Sequence, residues 1–252
     1  MAVFWGNFTS AQANDDRLKR HPGAIEMSKG EMFLASCANI LRNAYGFYRS
    51  TEQGVAQDEN GQYLPLYTYP AIEYLYQFDY SDKRIFEYGA GASTMFWMER
   101  AAQVVSVENN PEWYSSLKPK LNSKTKLLFA EGDKFPFALE GEEGLFDVIV
   151  VDGAGYRFDC ATVALSKLAK GGVVVLDNAD WHPNTAKLLR DAGLIQVDMS
   201  GFKPCECHTS TTSIFMHRDF NFRTLESRQP SYAKGAKLIH SEDWDKPYAK
   251  RG

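Results

Sequence analysis

Residues 84–94, Arg-Ile-Phe-Glu-Tyr-Gly-Ala-Gly-Ala-Ser-Thr, constrain the fold of this chain more than any other stretch. A short apolar, β-prone run enters Glu87, Gly89 and Gly91 bracket a tight turn, and a helix-compatible segment starts at Ala92. Strand, glycine turn and helix start in immediate succession read as a βα unit of an open α/β sheet. In such sheets ligands bind beyond the carboxyl ends of the strands, and glycines without a Cβ let a nucleotide or nucleoside approach the backbone closely. The acid selects among such ligands: Glu87 would repel a dinucleotide phosphate and favour a cationic or hydroxyl-bearing group. The dinucleotide fingerprint G-x-G-x-x-G wants a third glycine where this chain has Thr94, so that match is incomplete. A plain βα turn that uses glycine only for geometry is the other alternative.

Downstream segments extend the pattern. Residues 101–108 read as a second strand ending in Glu108, placed to accept hydrogen bonds from ribose hydroxyls. Asn109 and the capping Asn110 then lead into a helix with Pro111 at its first position. Trp113 flanks an adenine or packs on the sheet. Residues 126–133 read as a third strand running into a loop at Asp133. Residues 146–153 are a nearly continuous apolar run ending in Asp152-Gly153, as expected for a central parallel strand covered on both faces. A helix over 158–168 separates it from a second such run, 170–178, which ends in Asp177-Asn178. Asp152, Asp177 and Asn178 therefore converge at one sheet edge. Two carboxylates and an amide oxygen form a hard donor set suited to Mg²⁺ or another divalent cation. The same residue types also cap helices and form turns, which is the alternative use for them. After a helix over 186–192, residues 193–198 and 211–216 read as sixth and seventh strands. The link between them is too short for a crossover helix, so they should pair antiparallel.

The run E-Y-G-A-G-A-S-T resembles motif I of the class I S-adenosylmethionine-dependent methyltransferases, E/D-x-G-x-G-x-x-T/S, and the later motifs follow in that family's order from residue 83 to residue 218. The resemblance implies an α/β, doubly wound, Rossmann-like seven-stranded sheet of order 3-2-1-4-5-7-6 with strand 7 antiparallel. It also implies S-adenosylmethionine as cofactor. Glu87 would lie near the methionine amino end, with Gly89, Ala90, Gly91 and Thr94 forming the turn. Glu108 and Asn109 would meet the ribose, Asp133 would face the adenine amino group, and Asp152 would close the cofactor set. The Asp152, Asp177-Asn178 layout is similar to that of the catechol and caffeoyl-CoA O-methyltransferases, where such a trio holds a cation that chelates the acceptor hydroxyls. By that likeness Asp152, Asp177 and Asn178 are metal ligands, lowering the hydroxyl pKa and aligning the oxygen with the methyl sulfonium. Those enzymes carry a lysine three residues after the first Asp, and here that position is Gly155. His182, just past the fifth strand, is then the alternative general base, with Asp152 as the second catalytic candidate. Arg157 orients an anionic acceptor or pairs with a local acid.

The acceptor is narrowed by what is missing. Enzymes that methylate amino groups of DNA carry Asn/Asp-Pro-Pro-Tyr/Phe after the fourth strand, where this chain reads Val-Asp-Gly-Ala-Gly-Tyr. An oxygen on a small molecule or saccharide is the better expectation. Two other classes stay open: a non-catalytic S-adenosylmethionine-binding module, compatible with the missing lysine, and an NAD-dependent oxidoreductase, disfavoured by Thr94 and the Asp-Asn pair.

The 252 residues divide into an N-terminal helical or cap extension (1–78), the cofactor-binding core (79–219) and a C-terminal tail or lid (220–252). A formal charge of -4 argues against nucleic acid as a partner, and no run approaches membrane-spanning length. The start of the chain lacks the basic end and apolar core of a secretory signal, so a cytoplasmic location is expected. Residues 1–25 read as polar and irregular. Residues 26–48 carry the apolar spacing of an amphipathic helix (Met32, Phe33, Cys37, Ile40, Leu41, Tyr45), packing on the sheet or on a second copy in a homodimer. Residues 50–62 read as a loop. Tyr67, Thr68 and Tyr69 are candidate cofactor or acceptor contacts, or plain packing, ahead of a helix over 71–77. Cys160 falls in a buried helix. Cys205, Cys207 and His208 form a loop with soft ligand types but no second cluster, so substrate contact is preferred there over zinc.

Overall fold

A computed structural model of the chain describes residues 27–239 and 242–247. The expectation of irregular structure over 1–25 lies outside the described residues. Seven segments pair into one sheet: β1 (Arg84–Tyr88), β2 (Gln103–Glu108), β3 (Thr125–Phe129), β4 (Phe146–Val151), β5 (Leu168–Leu176), β6 (Ile195–Phe202) and β7 (Thr209–Met216). Their order is β3-β2-β1-β4-β5-β7-β6. The first five run parallel, and β7 is antiparallel to both β5 and β6. This is the order that the family resemblance implies, with the antiparallel last pair that the short link predicts. The expected 199–210 link is shorter, because β6 continues through Phe202 and β7 begins at Thr209.

The central strands alternate faces with a period of two, and each face is covered. Phe86, Tyr88, Val105, Val107, Ile149, Val151, Val174 and Leu176 pack with α7 (Arg157–Lys167) and α8 (Pro183–Asp191) and with Phe135 of the short α6 (Lys134–Phe137). Cys160 lies in this layer, fully buried as expected. The other face sets Ile85, Val104, Val148, Val150, Val173 and Val175 against α3 (Tyr69–Leu75) and α4 (Ala92–Met98), with Phe96 and Trp97 of α4 fully buried in it. The remaining crossover helix, α5 (Pro111–Leu117), is capped by the Asn110 side chain, which accepts from the Trp113 amide at 2.9 Å.

The N-terminal segment departs from the single helix expected over 26–48. It divides into α1 (Lys29–Asn39), a π-helical turn (Ile40–Ala44) and α2 (Phe47–Gln53), because Gly46 adopts a left-handed conformation (φ 68) that ends one helix and starts the next. Residues 50–53 are thus helical rather than loop. A Ser28–Glu31 capping box fixes the start of α1, yet α1 buries no residue; Leu41 and Tyr45, beyond it, are the ones that pack on the core. The described part of the tail runs along α3. Phe220 and Phe222 pack edge-on against Phe78, Phe78 bridges to Thr224, and the Lys234 amide donates to Glu73 at 2.8 Å. No described helix is long and apolar enough to cross a membrane.

Candidate functional site

Strand register decides where the chemistry collects. Tyr88, Val151 and Leu176 stand side by side in the ladder of β1, β4 and β5. The residues after them, Gly89, Asp152 and Asp177, therefore line up one row beyond the sheet edge. The Asp152 amide donates to the Tyr88 carbonyl at 3.1 Å and the Asp177 amide to that of Val151 at 3.3 Å, extending the ladder to that row. Gly89 sits tight against it: with φ +87, an added Cβ would stand 2.8 Å from the Asp152 carbonyl oxygen. Only glycine satisfies both demands.

Over this row opens a cavity of ≈ 460 Å³, inside the range of about 300–1,000 Å³ usual for small-molecule sites. At one end it meets Gly89, Ala90, Gly91, Glu108, Asn109 and Trp113; at the other, Asp152, Asp177, Asn178 and Lys203. At the first end Glu108 closes β2 with its carboxylate beyond the strand. Oε2 accepts from the Ala90 amide at 3.0 Å, and Oε1 from the amides of Asn109 and Asn110 at 2.9 and 2.8 Å. A carboxylate offers about four acceptor positions, so one remains on a side chain that lines the cavity. The Trp113 indole donates to the Ala90 carbonyl, which holds its ring beside Gly91.

Glu87 is placed differently from what the sequence implies. The two-residue alternation of β1 turns it onto the α4 face, where it is fully buried and outside the cavity lining. Its Oε2 accepts from the Thr94 hydroxyl at 2.5 Å and from Ser106 at 2.7 Å, while Thr94 also accepts from the Gly91 amide at 3.0 Å. Glu87 thus clamps the turn from behind through Thr94. Burial pushes its carboxyl up to about 7, against the lowering by the Ser93, Thr94 and Ser106 hydroxyls. Its Oε1 has no partner among the described residues. Asp133 also departs from its expected place: it is exposed before α6 and lines a separate depression beside β3, with Phe129 and Phe137.

At the other end both carboxylates already face cations. Asp152 pairs with Arg157 at 3.0 Å, and Arg157 also donates to the carbonyls of Gly153 and Asp177. Asp152 keeps 19% of its side chain exposed. Burial and then the Asp177 carboxylate nonetheless hold its carboxyl well above the usual range, against the pull of Arg157 and Lys203. Asp177 accepts from Lys203 Nζ and, at 2.7 Å, from the Thr212 hydroxyl. Asn178 satisfies both ends of its amide when Nδ2 donates to Asp177 (2.8 Å) and Oδ1 accepts from Lys203 (2.9 Å) and Ser210 (3.1 Å). The metal-ligand trio drawn from the sequence is therefore brought together but does not fit a divalent ion. Lys203 and Arg157 already hold its oxygens, and a further cation there would meet two fixed positive charges. No group of three His, Cys, Asp or Glu side chains among the described residues is arranged to hold a metal.

His182 stands at the start of α8, in a second, more open depression of ≈ 640 Å³ with Arg157 and Trp181, and does not line the first cavity. Burial, then Arg157, lowers its imidazole below the ordinary value. Tyr67, Thr68 and Tyr69 are core residues: Thr68 donates from its amide to Thr212 and from its hydroxyl to the Met199 carbonyl. Tyr63 and Leu66 line the cavity in their stead. Cys205 and Glu206 reach it from the β6–β7 connection, whereas Cys207 and His208 are exposed. Sequence reasoning missed Lys203 and the 54–56 wall. A single lysine beyond an edge strand carries no signal, and Gly54–Ala56 became wall only through the bridge of Gln57 to Tyr63.

No family model and no curated protein matches the chain. Among solved structures it is similar to the O-methyltransferase TomG from Streptomyces achromogenes in complex with SAM, at 12% identity over 82% of this chain and 98% of that one, TM-score 0.48. A putative O-methyltransferase from Klebsiella pneumoniae gives 16% identity over 82% and 96%, TM-score 0.46. Precorrin-6y C5,15-methyltransferase from Geobacter metallireducens gives 20% over 58% and 86%, TM-score 0.45. These overlaps are too loose to add to what strand order and cavity say.

Proposed function

We propose that this chain is an S-adenosylmethionine-dependent methyltransferase acting on an oxygen of a small molecule or saccharide. One observation carries the reading: a single cavity joins a glycine turn, a ribose-ready Glu108 and a tryptophan face at one end to two strand-end acids at the other. The residues at the first end fit the cofactor, since Glu108 keeps an open acceptor position and Gly91 leaves its space toward Trp113 unfilled. Bound there, the cofactor supplies an electrophilic methyl group on a sulfonium. Glu108 holds the ribose, Trp113 covers the adenine, and the Gly89–Gly91 backbone allows close approach. Asp152 lines the same cavity, and its raised proton affinity suits it to take the acceptor's proton. Asp152 rather than His182 is assigned that role, because the imidazole opens on the other depression. Val55, Ala56 and Leu66 form an apolar part of the cavity wall.

The test is incubation with isotopically labelled S-adenosylmethionine and a library of metabolites and oligosaccharides, read by mass spectrometry. The reading predicts a labelled methyl on oxygen in a product that disappears with Asp152→Asn. A labelled methyl on nitrogen or carbon would overturn the acceptor assignment.

A further inference from the structure

The place beside Asp177 that a cation would take is filled by the chain itself. We propose that Lys203 is a built-in cation substituting for a divalent ion, so that this end of the cavity operates without metal. The inference rests on reading that end as the acceptor end of a methyl-transfer site. It starts from register. β7 runs antiparallel to both neighbours, so β6 points the same way as β5 and finishes at the same edge. β6 runs past the end of β5: Leu176 is level with Asp198 through Ser213, so Lys203 follows the end of β6 beyond the row of Asp177 and its side chain reaches back to that carboxylate.

The lysine turns inward rather than to solvent: its side chain is 1% exposed and that of Asp177 2%. A buried ammonium is costly unless it is paired and hydrogen-bonded, and here it is both. Asp177 Oδ2 takes one N–H and Asn178 Oδ1, at 2.9 Å, takes another. Those are two of the three oxygens that a metal would need. The third, on Asp152, is held by Arg157 at 3.0 Å. Thr212 and Ser210 fill further positions on Asp177 and Asn178. An ammonium has three N–H groups, so one remains, without a partner among the described residues, on a side chain that lines the cavity. That N–H can meet an oxygen of the acceptor, as a metal would, while the lysine fixes the two side chains beside it.

The experiment titrates Mn²⁺ alone into the full-length protein and follows free Mn²⁺ by electron paramagnetic resonance. Wild-type protein is expected to take up none that depends on Asp177, even at millimolar metal. Lys203→Ala frees the Asp177 and Asn178 oxygens and should gain one site, lost again when Asp177→Asn is added. Lys203→Met, which keeps most of the packing, is the second variant, and thermal melts identify which variants fold. Two results overturn the proposal: Mn²⁺ binding by the wild type that Asp177→Asn abolishes, or folded Lys203 variants that gain no site. Should neither variant fold, the wild-type titration alone decides. Because no cofactor takes part, failure here is separate from failure of the methyltransferase reading.

Discussion

Glu87 joins strand, glycine turn and helix without lining the cavity. Phe86 and Tyr88 face one layer while Ile85 and Glu87 face the other, an alternation that can be read directly from the strand. What the strand alone does not show is that α4 closes over Glu87 and delivers Thr94 to it, because that depends on how the turn directs the helix. The raised carboxyl has a consequence for stability. Its folded value of about 7 exceeds the ordinary 4.5, so the folded state binds the proton more tightly and stability falls as pH rises from about 4.5 through 7. At about 1.4 kcal/mol per pH unit the loss is up to ~3 kcal/mol. Glu87→Gln removes that dependence. Urea midpoints at pH 5 and pH 8 should shift less in the variant than in the wild type, and equal shifts would rule out Glu87 as the source.

Among the elements, the glycine turn separates folding from binding. Gly89→Ala would place a Cβ in a left-handed conformation 2.8 Å from backbone, and should destabilise the protein by about 1–3 kcal/mol. Gly91 has extended φ, and its Cβ would meet only the Trp113 ring at 3.8 Å. Gly91→Ala should therefore melt like wild type yet bind S-adenosylhomocysteine more weakly, since the methyl enters the cavity. A variant that loses stability as Gly89→Ala does would show that the turn, not the cavity, needs that glycine. The parallel strands were legible because buried strands read as unbroken apolar runs such as Val148–Val151. The end of β6 was not. As the outermost strand it is half-exposed, and Met199, Ser200, Gly201 and Phe202 carry no run to read, so Lys203 was not tied to Asp177. The break at Gly46 was hidden as well: the apolar spacing ends at Tyr45, so nothing in it marks where the backbone turns left-handed.

For the whole molecule, the sheet order is the one the family resemblance implies, while the cavity depends on segments far apart in the sequence. Its walls come from 54–66, the first βα turn, the ends of β4 and β5 and the β6–β7 connection, and only the turn and strand ends carry recognisable motifs. The described tail lies along α3 and contributes no side chain to the cavity. The trio expected to hold a metal is legible as three residues at one edge; the ion pairs that occupy it depend on Arg157 and Lys203, which only the fold brings there. The most direct test of the central claim is a calorimetric titration of the protein with S-adenosylhomocysteine and, separately, with NAD. The account predicts one S-adenosylhomocysteine site per chain, weakened about ten- to a hundredfold in Glu108→Ala, as expected for loss of a charged hydrogen-bond acceptor, and no heat with NAD. Binding of NAD without binding of S-adenosylhomocysteine would contradict it.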